Sequence, residues 1–241
     1  MKIKSKYIPR YICGLFLAAS LADVTTDTGP VVCAVDPTCR RMTPGEIELV
    51  RPIFGNAVNY EDVRIFNRPA IYSLFNKYQI AQAVRNNIYL SERMGPQRND
   101  FGFASQPSPK GVSVEDDHAG DFVHEITHIW QYQNIGIKQN DQPYSYEFKL
   151  QDHEKFVEFN PEQQAEIVKA YFEQRRRLND FTSYLASPHN TAVNPERAAQ
   201  IVAKNCTALA PYEAKLQPAL PIKPMVPCQP QASDNMKKLA F

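Results

Sequence analysis

Apolar residues recur along the chain with spacings that predict both helices and strands. Recurrence every three or four positions predicts helices, and short apolar runs bounded by turn residues predict strands. Predicted helices span 43–54, 70–86, 120–136, 160–177 and 194–208, and predicted strands span 62–66 and 87–90. The chain therefore combines several helices with a small amount of sheet.

The predicted helix boundaries have recognisable capping residues. Thr43 and Glu46 form a potential capping box at the first helix, and Gly55 is placed to end it. Asp117 and Gly120 are alternative starts for the third helix, and Gly136 is placed to end it. At the fourth helix, residues 160–161 are Asn-Pro, a pair typical of a helix start.

The third helix carries the motif His124-Glu125-x-x-His128. Two imidazoles four residues apart lie about 40° apart around a helix axis, so both can reach one ion. Glu125 then sits beside that ion, where it can take a proton from a bound water. This pattern is the zinc metallopeptidase signature. The alternative is a buried amphipathic helix whose two histidines have no metal role.

A catalytic zinc site needs three protein ligands and one open position. Residue 131 is Gln and residue 134 is Asn, so the metzincin arrangement, with a further His six residues after the second, is excluded. Glu162 and Glu166 lie four residues apart on the next helix and share a face. One can bind the metal while the other accepts a hydrogen bond from a ligating imidazole. The alternative for Glu162 is an acid that stabilises a helix N-terminus.

The segment Glu162-x-x-Ala165-Glu166 resembles the Glu-x-x-Ala-Asp element of gluzincin peptidases, with Glu in place of the usual Asp. The resemblance implies that Glu162 is the third zinc ligand and that Glu166 orients a zinc-bound histidine. The longer side chain of Glu166 must then fit where the family has Asp.

A wider resemblance covers roughly residues 42 to 180. Segments 42–46, 63–66, 130–131 and 162–164 resemble a family of zincin-like metallopeptidases found near bacterial type VI secretion spike and Rhs genes. The resemblance implies an α+β, zincin-like fold with a small antiparallel or mixed sheet. One helix would carry the His-Glu-x-x-His motif, and a second would carry the Glu ligand.

In zincins an edge strand pairs with the extended substrate, as in β-augmentation. Residues 88–91 and 111–114 are alternative candidates for that strand.

The N-terminus resembles a Sec signal peptide. A basic start with Lys2, Lys4, Lys6 and Arg10 precedes an apolar run that ends at Ala22, and this order is typical of exported proteins. The alternative is an uncleaved anchor. No later segment is long enough to span a membrane. The sequence thus predicts a periplasmic or secreted bacterial protein.

Cysteine usage also favours export. Removing residues 1–22 deletes Cys13 and leaves an even number of cysteines, which predicts two disulfides in an oxidising compartment. The preferred pairing joins Cys33 to Cys39 and Cys206 to Cys228, and the other two connectivities remain open. A cysteine zinc site is the rival interpretation, but the chain has no Cys-x-x-Cys.

The net charge argues against a nucleic-acid binder. The chain has 27 basic and 26 acidic residues, and cleavage removes four basic ones, so 23 basic residues would face 26 acidic ones, a net charge of −3. A negative chain is a poor ligand for phosphate backbones. The predicted organisation is a signal peptide (1–22), a disulfide-looped lead-in (23–41), a zincin-like metallopeptidase domain (42–210) and a Pro-rich extended tail (211–241).

Prolines recur at every third position of the tail, from Pro218 to Pro230. This period matches the three residues per turn of polyproline II. Two interpretations are open. The tail is either a stiff arm packed over the domain and pinned by Cys228, or a segment that binds a partner or covers the cleft.

Together these features predict a zinc-dependent peptidase with one Zn²⁺ per chain. His124, His128 and Glu162 would bind zinc, and Glu125 would activate the zinc-bound water. Tyr144, Tyr146 and His153 are candidates for stabilising the oxyanion, with Tyr146 preferred. The predicted substrate is a peptide or protein, with a secretion-system component as a possible partner. The alternatives are an inactive zincin-fold protein that binds metal or a partner, and a peptidase of cell-wall peptides.

Overall fold

The computed structural model describes residues 33–70, 80–102, 118–136, 145–186 and 194–223, together with Met225 and Cys228. The predicted signal peptide, the predicted strand at 111–114 and the candidate helix start Asp117 lie outside these residues. Within the described ranges, no helix is both long and apolar enough to cross a membrane.

Four short strands form one mixed sheet. In chain order they are β1 (Cys39–Arg41), β2 (Arg64–Phe66), β3 (Ala81–Val84) and β4 (Asn87–Leu90). The spatial order is β1-β2-β4-β3, with β2 and β4 parallel and the other two pairs antiparallel. The predicted strands at 62–66 and 87–90 are confirmed, although a 3-10 turn at Tyr60–Asp62 delays the start of β2.

The predicted helix at 70–86 is wrong over its described C-terminal part. Residues 81–84 form β3, which turns back through Arg85 and Asn86 and pairs with β4. Arg85 has a positive φ of 55°, as a tight hairpin turn requires. Cross-strand pairing outweighs a weak local preference here. Because β4 lies between β2 and β3, residues 88–91 are not at the edge of the sheet, and β3 is.

Helix α1 (Pro44–Phe54) begins and ends as predicted. The Thr43 side chain accepts a hydrogen bond from the backbone of Glu46, and the Glu46 carboxylate accepts one from the backbone of Thr43. Glu46 is fully buried and also pairs with the Arg40 guanidinium at 2.7 Å. The N-terminal cap thus fastens the helix to β1.

Two long helices pack against each other, and one of them contacts the sheet. Helix α2 (Ala119–Asn134) starts after His118, which has a left-handed backbone with φ 57°. Helix α3 (Pro161–Ala186) packs along α2, and α2 also contacts β3. A β-carbon at Gly120 would lie 2.5 Å from the carboxylate of Glu173 on α3, so that flexible side chain would have to move.

Helix α4 (Pro195–Leu216) runs past the predicted end near residue 208. Residues 211–216, assigned to the tail from the sequence, are therefore helical. Pro211 lies inside the helix and costs it one backbone hydrogen bond. Buried Leu209 and Leu216 on either side of it pack into the core, which compensates for that loss.

Residues 217–223 and Met225, here called the C-terminal strap, continue from α4 across the domain. Leu220, Ile222 and Met225 are buried in the main core. The Lys223 amide donates to the Pro52 carbonyl of α1 at 3.3 Å, and Pro221 packs against Gly55. These contacts favour the packed-arm interpretation. Pro224, Pro227 and Pro230 lie outside the described residues.

Both disulfides of the preferred pairing are present. Cys33 is bonded to Cys39, which closes a small loop before β1, and Cys206 of α4 is bonded to Cys228 beyond the strap. The prediction of this connectivity is confirmed.

Candidate metal centre

Helix α2 brings both motif histidines to one point inside the protein. The Nε2 atoms of His124 and His128 lie 3.1 Å apart. The Glu162 Oε2 atom lies 3.2 Å from the first and 3.3 Å from the second. All three residues are buried, and together they form a group that could bind a metal ion.

The N-terminus of α3 determines where Glu162 lies. Asn160 caps the helix, since its Oδ1 accepts a hydrogen bond from the Gln163 amide at 2.9 Å. Pro161 follows in the first turn, where its missing N–H costs nothing. Glu162 therefore projects from a fixed first turn toward α2, as the sequence predicts.

Glu166 lies one turn beyond Glu162 and contacts the other side of His124. Its Oε1 is 3.0 Å from His124 Nδ1, so the ring donates there and its Nε2 faces the cluster. The Glu166 side chain, although longer than the Asp of the gluzincin element, thus reaches the imidazole of His124. Burial acts to raise the pKa of Glu166, but the hydrogen bond from His124 and the charge of Lys169 lower it below the usual range.

The cluster strongly favours a positive charge. Burial acts to lower the pKa of His124, but hydrogen bonds to Glu162 and Glu166 and the charge of Glu125 raise it to about 10. Burial likewise acts to raise the pKa of Glu162, but both histidines lower it to about 2. In the absence of a metal, a proton on His124 supplies this charge. A cation between the three ligand atoms would supply it as well.

A charged network extends this arrangement along the two helices. Lys169 Nζ is 2.7 Å from Asp121 Oδ1, and His118 Nδ1 is 2.9 Å from Asp121 Oδ2. Lys169 is one turn from Glu166 on α3, so it helps to keep that carboxylate ionised. The sequence does not predict the pairing of Asp121 with Lys169, because the two residues are 48 positions apart.

Glu125 is buried beside the cluster and is tied to the sheet. Its Oε2 accepts a hydrogen bond from the Ala83 amide of β3. Burial raises the pKa of Glu125 above the usual range, and the neighbouring His124 and His128 only partly oppose this. A carboxylate with a raised pKa is a better proton acceptor than an exposed one. The Ala83 contact was not predicted, because 70–86 was interpreted as a helix.

Gln131 and Gln164 join His128 to the start of α3. His128 Nδ1 is 2.8 Å from Gln131 Oε1. Gln131 Nε2 is 2.9 Å from the Pro161 carbonyl and 3.0 Å from Gln164 Oε1. In the sequence, Gln131 counts against the metzincin arrangement but does not by itself predict this contact. A buried Gln three residues after a ligating His is the signal that could have identified this contact.

The candidates for the oxyanion donor differ in their position relative to the cluster. Tyr146 lies beside the cluster, with its ring centroid 6.3 Å from that of His124, and 54% of its surface is exposed. His153 instead packs edge-on against Phe159 at 4.7 Å. Tyr144 lies outside the described residues. Tyr146 is thus the described candidate at the exposed rim of the cluster.

Comparisons with known proteins give one relative and one solved structure. The chain is 26% identical over 155 residues to the type VI secretion system spike protein VgrG2b of Pseudomonas aeruginosa, covering 58% of this chain. It spans only 14% of that protein's length. The solved effector domain of VgrG2b is 22% identical, with a TM-score of 0.44, and the match covers 70% of this chain and 92% of that one. No family model matches.

Proposed function

We propose that the protein is a zinc-dependent peptidase. The observation that carries this proposal is the convergence of His124 Nε2, His128 Nε2 and Glu162 Oε2 within 3.1–3.3 Å of one another, beside buried Glu125. Pure metal storage needs no buried carboxylate next to the ligands, whereas hydrolysis needs a base there.

The ligand set suits zinc. Two imidazoles and one carboxylate, with a further position for water, form a common catalytic zinc environment. Ligands of a tetrahedral zinc ion at about 2.0–2.2 Å lie roughly 3.3–3.5 Å from one another. The three ligand atoms here are 3.1, 3.2 and 3.3 Å apart. They can therefore receive the ion with little movement.

When bound, zinc would lower the pKa of a water molecule and polarise the scissile carbonyl. Glu125 would take the proton from that water and deliver it to the leaving amine. The Ala83 amide holds one oxygen of Glu125 in place through a hydrogen bond. Tyr146, at the exposed rim, would donate a hydrogen bond to the carbonyl oxygen of the substrate.

The proposed setting is outside the cytoplasm, in association with bacterial secretion. The chain resembles VgrG2b, which is named a type VI secretion system spike protein. Two disulfides fit an oxidising compartment such as the periplasm. A peptide or protein substrate and a secretion-system partner follow as parts of this proposal.

A second candidate function is a secretion component that binds metal or a partner without catalysis. The similarity to a spike protein favours this alternative. A motif with Glu125 intact favours the peptidase.

The test is hydrolysis of casein and of peptidoglycan peptides by the purified, zinc-loaded protein. Glu125→Gln keeps an oxygen for the Ala83 amide but cannot take a proton, so we expect a loss of about 10²–10⁴-fold in rate. Glu196→Gln, on the exposed start of α4, is the matched control and should keep full activity. Equal activity in Glu125→Gln would contradict the mechanism. Zinc binding without hydrolysis of either substrate would favour the second candidate.

A further inference from the structure

A chain of buried side-chain amides runs from the segment before α3 to the imidazole of His128. It begins at the Phe159 carbonyl, which is 2.7 Å from Gln164 Nε2. A backbone carbonyl can only accept, so the Gln164 amide nitrogen must face it. Gln164 Oε1 then faces Gln131 and must accept from it.

The same logic fixes Gln131. Its Nε2 has two neighbours, the Pro161 carbonyl at 2.9 Å and Gln164 Oε1 at 3.0 Å. Both can only accept, and an amide nitrogen has two protons to give. Gln131 Oε1 is therefore the atom that faces His128 Nδ1 at 2.8 Å. Because that oxygen cannot donate, Nδ1 must carry the proton.

We propose that Gln131 is the positioning residue of the metal centre. Its carboxamide holds Nδ1–H of His128 and the Pro161 carbonyl together, and so orients one ligand on each of the two helices. With its proton on Nδ1, His128 can present Nε2 to an ion bound between it, His124 Nε2 and Glu162 Oε2, which lie 3.1 and 3.3 Å away. The proposal deepens the proposed function, on which it rests for the role of His128 as a ligand.

Burial fixes which end of each amide donates and which accepts in this chain of hydrogen bonds. Gln131 and Gln164 are each 1% exposed. Reversing either amide would bring acceptor against acceptor, and an unsatisfied buried group costs about 1–3 kcal/mol. The tautomer of His128 is thus set by the fold before any metal arrives.

The two histidines are held by different chemistry. His124 donates to Glu166, a partly exposed carboxylate, whereas His128 donates to a buried neutral amide. Three carboxylates already lie beside the two imidazoles, those of Glu125, Glu162 and Glu166. A neutral acceptor at position 131 orients the second ring without adding a fourth negative charge.

Gln133 offers a matched control on the same helix. It too bridges α2 to another part of the fold, accepting from the Asn59 amide at 2.8 Å and donating to Asn86 Oδ1 at 2.8 Å. None of these contacts involves a ligand of the proposed centre. Gln131→Met and Gln133→Met therefore remove comparable bridges, but only the first removes the hydrogen bond to His128.

The first measurement is the zinc dissociation constant, obtained by chelator competition on the folded full chain. We expect Gln131→Met to bind zinc about 10–100-fold more weakly, as is typical when a partner of a ligating histidine is lost. Gln133→Met should stay within about twofold of the parent, in line with that mechanism. Unchanged affinity in Gln131→Met, or an equal loss in Gln133→Met, would overturn the proposal.

The second measurement uses the unsubstituted protein, so it does not depend on whether a variant folds. Long-range proton–nitrogen NMR of ¹⁵N-histidine protein reports which ring nitrogen carries the proton. We expect Nδ1 of His128 to be protonated in both zinc-loaded and metal-free protein. An unprotonated Nδ1 in either state would refute the proposal. Neither readout requires turnover, so a protein that passes both and hydrolyses nothing would contradict the proposed function alone.

Discussion

The candidate metal centre and the C-terminal strap are both fastened to α3, but by opposite means. At its N-terminal end, α3 meets α2 through buried polar atoms, with Glu162 facing two imidazoles. Farther along, Arg175 of α3 donates to the Lys223 carbonyl, while apolar side chains of the strap enter the core. The disulfide from Cys206 to Cys228 then closes the strap covalently.

The two regions differ in what each requires for stability. The strap is stabilised by buried apolar side chains and a disulfide, neither of which depends on anything outside the chain. The polar cluster is balanced by a positive charge between its acceptors, supplied by a proton or by a metal. One helix thus joins a region whose stability comes from the chain alone to a region whose stability we expect to depend on a bound ion.

The largest expected effect is at the metal centre. Glu162→Ala removes one of three proposed ligands, so the zinc content should fall from one equivalent to near zero, and hydrolysis with it. Elemental analysis of the purified protein measures this. Glu158→Ala, an exposed acid just before α3, is the control and should keep its zinc. Full zinc content in Glu162→Ala would show that another residue is the third ligand.

Metal removal should distinguish the two regions next. Zinc bound at a thousandfold excess over its dissociation constant stabilises the folded state by about 4 kcal/mol. Chelation should lower the unfolding free energy by that order, as measured by urea denaturation, while leaving both disulfides intact. An unfolding free energy that does not change on chelation would show that the cluster is complete without a metal.

Opening the strap's covalent bond should have a slightly smaller effect. The Cys206–Cys228 bond spans a sequence separation of 22 residues, for which loop-closure entropy predicts a contribution of about 3 kcal/mol. The double variant Cys206→Ala/Cys228→Ala should lose that much in urea denaturation. Its zinc affinity should match that of the parent, and a large loss of affinity would mean that the strap supports the metal centre.

The smallest expected effect concerns the charged network beside the cluster. Burial acts to raise the pKa of Asp121, but Lys169 and His118 hold it below its usual range. Its stabilising effect is therefore present above the ordinary aspartate pKa and is lost as the pH falls through the lowered value.

Asp121→Asn should cost about 1–3 kcal/mol of unfolding free energy at pH 7. The deficit should shrink as the pH falls from the ordinary aspartate pKa to the lowered one, because Asp121 is protonated first in the unfolded chain and then in the folded protein. Urea denaturation at several pH values measures both. Asp152→Asn, on an exposed turn, should change little. A deficit in Asp121→Asn that stays constant with pH would contradict the role of the charge.

The features that the sequence predicted are those with local physical causes. The capping box of Thr43 and Glu46 and the Asn-Pro start of α3 depend on neighbours within one helical turn. The grouping of His124 with His128 follows from helix geometry alone. The meeting of these histidines with Glu162 followed from the family resemblance, and the structure brings the three residues together.

The features that the sequence did not predict depend on contacts between distant segments. Residues 81–84 form a strand because they pair with β4, and the helical preference of their surroundings gave no sign of it. Helix α4 continues through Pro211 because buried leucines on both sides hold it against the core. Gln131 acts through the Pro161 carbonyl, a backbone atom that no side-chain pattern reveals.

The hydrogen bond from Ala83 to Glu125 bears on how the protein would be inactivated by heat. The proposed ligands lie on two paired helices, whereas the proposed base is also held by an edge strand of four residues. Edge strands open locally at lower free energy than paired core helices. Gentle heating should therefore release Glu125 from the Ala83 amide while the proposed ion is still bound. Activity should then be lost before the metal is released. Amide exchange at Ala83 should increase together with the loss of activity.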